Sequence, residues 1–219
     1  MGEDNNVSET RSLPLPLEVD DMADALAQPM TLESFLAWEE RQELRYEFDG
    51  FRPIARTGGT YAHARIQTSL LRCLGDRLDG KPCKAVGSQL KVQTANGIRY
   101  PDAFIIGSPI PLNATVAHDP VIIFEILSPS TANDDLGAKK AEYQDLASVQ
   151  SYIVLQQTHR SAQVFRRVGE TIADDEKSGE WIFEFVVGPD AMIALPEIGV
   201  TLPLAEIYDG VLPESSSAG

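Results

Sequence analysis

At 219 residues the chain can bury one substantial core but not comfortably two full domains. Its composition, 43% hydrophobic and 23% charged, is ordinary for a soluble globular protein, and no apolar run approaches the roughly 20 residues of a membrane helix. A net charge of −15 argues against avid, non-specific binding of nucleic acid through a broadly basic surface.

The acidity is partly local. Residues 1–30 hold seven acids against one arginine, which leaves −9 on the remaining 189 residues. The stretch 1–29 lacks sustained periodicity and reads as an acidic disordered tail, and PESSSAG at 213–219 reads the same way. An acidic start and a short apolar piece broken by Pro14 and Pro16 do not resemble a signal peptide. Cys73 and Cys83 form no CxxC or Cys/His pattern, so neither a zinc site nor a disulfide framework is expected. The expected compartment is a reducing cytoplasm. Between the tails, one domain is expected over residues 30–212, with no internal repeat.

Thr31 is placed to cap a helix with Phe35, Trp38 and Leu44 toward one face. Residues 45–56 read as a hairpin, YEF and FRPIA around a turn at Asp49-Gly50. After the break at Gly58-Gly59, Thr60 opens a helix in which Ile66, Leu70, Leu74 and Leu78 recur every four residues as a buried stripe. Gly80 and Pro82 end it. Residues 89–93 alternate as a strand with Leu90 and Val92 on one face. DAFII (102–106) and VIIFEIL (121–127) are almost continuously apolar, as central strands covered on both faces should be. A helix is expected over 134–146, then strands over 151–156, 162–168 and 181–187, and a closing extension from about 194. Helices and buried strands interleave, so the fold class is α/β or α+β with a mixed central sheet.

Glu125 carries the most information, because a carboxylate inside VIIFEIL must be compensated by a metal, a cationic side chain or loop amides. Asp102 opens the other apolar strand directly after Tyr100-Pro101. Alone it reads as a turn aspartate; paired with Glu125 it makes an oxygen site suited to a hard cation. Asp135, Lys139 and Tyr143 share one helix face at i, i+4, i+8, either as a surface pair or with Lys139 turned toward the carboxylates. Lys140 points about 100° away.

The segments RYPDAFIIG (99–107), PVIIFEILSPST (120–131) and DLGAKKAEY (135–143), with RYEFDG (45–50) and GGTYAHARIQTSLL (58–71) upstream, resemble the Uma-type family of restriction-endonuclease-like proteins. The similarity runs from about residue 30 to 208. It implies a PD-(D/E)XK nuclease fold in which Asp102 and Glu125 bind magnesium (or manganese) and a lysine assists catalysis. The usual lysine two positions after the glutamate is Leu127 here, and the resemblance implies that Lys139 on the following helix replaces it. It also implies that Glu47 completes the catalytic and metal set and that His63 is either a substrate contact or a helix-surface histidine. Gln89 is a weaker candidate for the same face. The expected activity is metal-dependent endonucleolytic hydrolysis of nucleic acid, DNA before RNA, with a homodimer through 181–187 as a candidate assembly and no membrane association. Two alternatives stay open: a regulatory or binding module that retains the fold, and a metallohydrolase of a small phosphorylated substrate.

Overall fold

A computed structural model describes residues 29–56, 58–127, 136–169 and 179–212. Residues 1–28 and 213–219 of the two expected tails, the SPST strand exit and Asp135 lie outside these residues. Thr31 caps α1 (Leu32–Glu39), its Oγ1 accepting the Ser34 amide at 3.1 Å. Phe35 and Trp38 are buried as the spacing requires, but Leu44 is 60% exposed. The helix has already ended at Glu39, so Leu44 falls outside the stripe. The hairpin follows as β1 (Tyr46–Phe48) and β2 (Pro53–Ala55). Asp49 Oδ1 accepts the amides of Phe51 and Arg52 and closes the turn, with Gly50 at φ 89°. Thr60 caps α2 (Tyr61–Leu78) by accepting the His63 amide, and Ile66, Leu70, Leu74 and Leu78 are all buried.

The next strands are β3 (Lys84–Gly87), β4 (Lys91–Gln93), β5 (Ile98–Arg99), β6 (Ala103–Ile106), β7 (Val116–Ala117) and β8 (Pro120–Leu127). The expected strand over 89–93 is therefore shorter than its alternation suggests. Gln89 and Leu90 lie in a turn after β3, where the Gln89 amide bonds to the Gly87 carbonyl at 2.8 Å. After β8 come α3 (Ala138–Asp145), β9 (Ser151–Gln156), β10 (Ser161–Val168) and β11 (Glu180–Val187). The C-terminal extension is β12 (Met192–Leu195), a 3-10 turn (Pro196–Ile198), β13 (Val200–Pro203) and α4 (Leu204–Ile207).

Six strands make a mixed central sheet in the order β11-β10-β9-β8-β6-β3, with β8 and β9 parallel and the other neighbours antiparallel. A parallel pair needs a crossover, and α3 lies in the connection between β8 and β9. One face of the sheet buries Ala103, Ile105, Ile122 and Phe124 against α2 and the C-terminal extension. The other buries Phe104, Ile123, Tyr152 and Val154 against Tyr143 of α3 and Val92. β6 and the interior of β8 are thus covered on both sides, as their unbroken apolar runs demand. A second sheet of short strands, β2-β1-β5-β4-β7, carries the smaller core of Phe35, Trp38, Tyr46, Phe48, Ile98 and Tyr100. The hairpin β1–β2 and part of β4 are expected from the sequence, but β5 and β7, of two residues each, are too short for a period to register. At the other edge, β11 exposes Phe183, Phe185 and Val187, each by more than half.

Candidate active site

The register of β6 on β8 pairs Ala103 with Phe124. One step further sets Asp102 opposite Glu125, at the end of β6 that faces the second sheet. Both are almost fully buried, at 4% and 3% exposure, so their charges must be met inside the protein.

Asp102 is held by donors from two sides. The Ile126 amide donates to Oδ2 at 2.8 Å, and His63 Nε2 lies 2.9 Å from Oδ1. Gln67, one turn beyond His63 on α2, donates to the Asp102 carbonyl at 2.8 Å. With Nε2–H on the carboxylate, His63 Nδ1 is buried without a hydrogen-bond partner. No lysine or arginine among the described residues reaches Asp102; its partners are an imidazole and an amide.

Glu125 and Glu47 share a cation. Lys139 Nζ lies 3.5 Å from Glu125 Oε1 and 3.5 Å from Glu47 Oε2. Tyr143, four residues on along α3, donates its hydroxyl to Glu125 Oε1 at 3.0 Å. Burial first, and then the charges of Glu125 and Glu47, push the Tyr143 pKa well up, so the hydroxyl stays a donor. α3 is fixed at its far end by Arg167 of β10, whose guanidinium caps the carbonyls of Gln144 and Leu146. Glu47 also accepts the Tyr100 amide at 3.1 Å and Arg99 Nη1 at 3.3 Å. Arg99 is bound in turn by Glu142 through Nε at 2.8 Å and Nη2 at 2.5 Å. Burial by itself would lower the Arg99 pKa, but the bonds to Glu142 and the charges of Glu142 and Glu47 outweigh it and raise it.

The structure therefore brings Asp102, Glu125, Lys139 and Glu47 to one end of the central sheet, with His63 on Asp102. Gln89 does not join them; it accepts a hydrogen bond from Arg45. Lys140 points elsewhere, with Nζ 4.8 Å from the centre of the Phe165 ring. Arg99, Arg56 and Gln67 were not foreseen as part of this network. Arg99 stands three residues before Asp102, but only the pairing of β1 with β5 reveals Glu47 as its partner.

The donor set is one of oxygens. Among the described residues no three His, Cys, Asp or Glu side chains are grouped as a cage for a metal. Magnesium does not require one, since it is commonly held by one or two carboxylates, with water and substrate phosphate completing the shell. Asp102 and Glu125 fit that requirement, whereas Glu47 is committed to Lys139, Arg99 and the Tyr100 amide.

The family model Uma2, described as "Putative restriction endonuclease", matches residues 32–196. The chain is 29% identical over 182 residues to the uncharacterised protein slr1290 of Synechocystis, covering 82% of this chain and 91% of the relative. It is 24% identical over 177 residues to a second Synechocystis protein, sll1609, covering 78% and 96%. A crystal structure from Anabaena variabilis, described as a "putative nuclease", superposes with a TM-score of 0.67 at 20% identity, covering 84% of this chain and all of that one. At that identity the likeness establishes the fold, which is nuclease-like.

Proposed function

This chain belongs to the Uma2 family, and from that premise we propose that it is a divalent-metal-dependent endonuclease hydrolysing phosphodiester bonds of nucleic acid, DNA first among them. The observation that supports the reading is the opposed, buried pair Asp102 and Glu125 with Lys139 turned toward it. Asp102 and Glu125 would hold magnesium or manganese. The ion, when bound, supplies Lewis-acid charge at the phosphate and acidifies water. The chain's own residues do the rest. The Ile126 amide and His63 hold Asp102 in one orientation, and Tyr143 holds Glu125. Lys139 offers an ammonium to negative charge developing on the phosphoryl oxygens. Glu47 and Arg99 limit where that ammonium can sit. His63, which is bound to Asp102, would meet substrate at the Asp102 side.

No helix of the described residues is long and apolar enough to cross a membrane. The two cysteines are free, which suits the reducing cytoplasm we assign to the protein. We also assign a homodimer through the exposed edge strand β11. The net charge of −15 favours a second reading, hydrolysis of a smaller phosphorylated substrate or a regulatory role that retains the fold.

The deciding experiment is calorimetric titration of magnesium and manganese into the wild type and Glu125→Gln, with cleavage assays on single- and double-stranded DNA and on RNA. Metal binding and cleavage that both disappear in Glu125→Gln are the expected result. Metal binding without cleavage of any nucleic acid would transfer the assignment to the second reading. A folded wild type that binds neither ion would overturn the metal site.

A further inference from the structure

Beside the carboxylates lies a cationic feature that touches the network above only through a long approach of Arg56 to Glu47. Arg45 and Arg56 face each other across the open end of the β1–β2 hairpin, where the Arg56 amide bonds to the Arg45 carbonyl at 3.0 Å. Both guanidiniums lie against one aromatic ring. The Cζ atoms of Arg45 and Arg56 are 5.8 and 5.3 Å from the centre of Tyr100. Both also donate from Nη1 to a single carbonyl, that of Ser88, at 3.3 and 3.4 Å.

The ring is itself immobilised. Tyr100 is buried, its hydroxyl donates to Glu39 Oε1 at 2.6 Å, and its amide is tied to Glu47. Two like charges are therefore fixed side by side on a rigid platform, two residues from Asp102. Neither is neutralised at close range. Arg45 makes no ion pair among the described residues, and Arg56 has only a long 3.9 Å approach of Nε to Glu47. Arg45 is exposed and Arg56 half-exposed, so both can be reached from solvent. Placing two guanidiniums together is unfavourable unless an anion shares them. Guanidiniums held over an aromatic ring, each with N–H groups beyond those given to Ser88 and Gln89, suit the oxygens of a phosphate diester.

We propose that Arg45 and Arg56 form a phosphate anchor, which grips the backbone of a nucleic-acid strand at a phosphate neighbouring the one hydrolysed. The proposal rests on the endonuclease reading and deepens it. It reconciles an acidic chain with a polyanionic substrate, because binding is concentrated in two contacts at the site rather than spread over a basic face. Two phosphate contacts set a small salt dependence. For a single strand the expected slope of log affinity against log salt is about −0.7 per contact, or roughly −1.4 in all, which is about a 25-fold loss over a tenfold rise in salt.

The test is fluorescence anisotropy of a labelled oligothymidine with the full chain, in chelator so that no cleavage intervenes, over a tenfold salt range. The wild type should lose about 25-fold in affinity, and Arg45→Gln/Arg56→Gln no more than about 3-fold from a weaker start. Arg41→Gln, an exposed arginine of the loop after α1 bonded to the Ala37 carbonyl, should behave as wild type. Arg45→Lys/Arg56→Lys should keep the slope but bind more weakly, since the charge remains and the forked geometry is lost; this variant serves as the readout if the glutamine pair fails to fold. A slope unchanged in the glutamine pair, lysine variants binding as tightly as wild type, or a wild type that binds no oligothymidine would overturn the anchor. Failure of the endonuclease reading looks different: the salt slope still depends on both arginines, but magnesium or manganese elicits no cleavage.

Discussion

Lys139 bridges two buried carboxylates, so its replacement by methionine should reveal how the site is balanced. At 3.5 Å from each acid, and with an effective dielectric of about 20, each attraction is about 5 kcal/mol before desolvation is counted. Much of this offsets the cost of burying the ions. Removing one partner of such a group typically costs about 3–5 kcal/mol, because the other charge is stranded. Glu47 retains Arg99 and the Tyr100 amide, so the group that loses most in Lys139→Met is Glu125, which keeps the Tyr143 hydroxyl but loses the Lys139 charge. In Glu125→Gln the lysine keeps Glu47, and the expected loss is smaller, about 1–3 kcal/mol. Combining the two removes both members of the ion pair. The double variant should therefore be more stable than the summed single losses imply, by about 1–3 kcal/mol. Equilibrium urea unfolding of the four proteins at pH 7, in chelator, reads this directly, provided that the slopes against urea agree. Losses that add to within about 0.5 kcal/mol would refute the coupling, and with it the placement of Lys139 between the acids.

The buried phenols predict alkaline instability. Burial raises the pKa of Tyr100, Tyr143 and Tyr208 above the ordinary 10.0, helped at Tyr100 by its bond to Glu39 and at Tyr143 by the charge of Glu125. The unfolded chain releases these protons near pH 10 while the folded one holds them, so this stability is whole below pH 10 and falls as pH rises toward the raised values. Three such groups should lose about 3 kcal/mol over the first pH unit above 10, and a urea midpoint flat from pH 9 to 11 would refute it. At the sheet edge, Phe185→Lys should convert a dimer to a monomer in sedimentation, since it places a charge in the middle of the exposed apolar stripe of β11; a monomeric wild type would remove the assembly assigned above.

Much of the scaffold was legible because it depends on local periodicity. Thr31 and Thr60 mark two helix starts through their own hydroxyls, and the four-residue recurrence from Ile66 to Leu78 fixes the buried face of α2. Unbroken apolar runs identify β6 and β8 as covered on both sides, and an acid embedded in such a run demands compensation wherever the strand is placed. Helical phase alone also puts Lys139 and Tyr143 on one face and turns Lys140 away. What the chain could not disclose locally was pairing. That Asp102 stands opposite Glu125 depends on the register of β6 against β8, and that Glu47 and Arg99 meet depends on β1 lying beside β5. β3, β5 and β7 escaped because these strands are too short or too exposed to impose a period, and so did the joining of the expected hairpin with β4 in one sheet. The arginines on Tyr100 are joined by a carbonyl more than thirty residues away. Periodicity records which side of an element is buried; which element covers it, and so which charges share one buried space, is decided only when the sheet assembles.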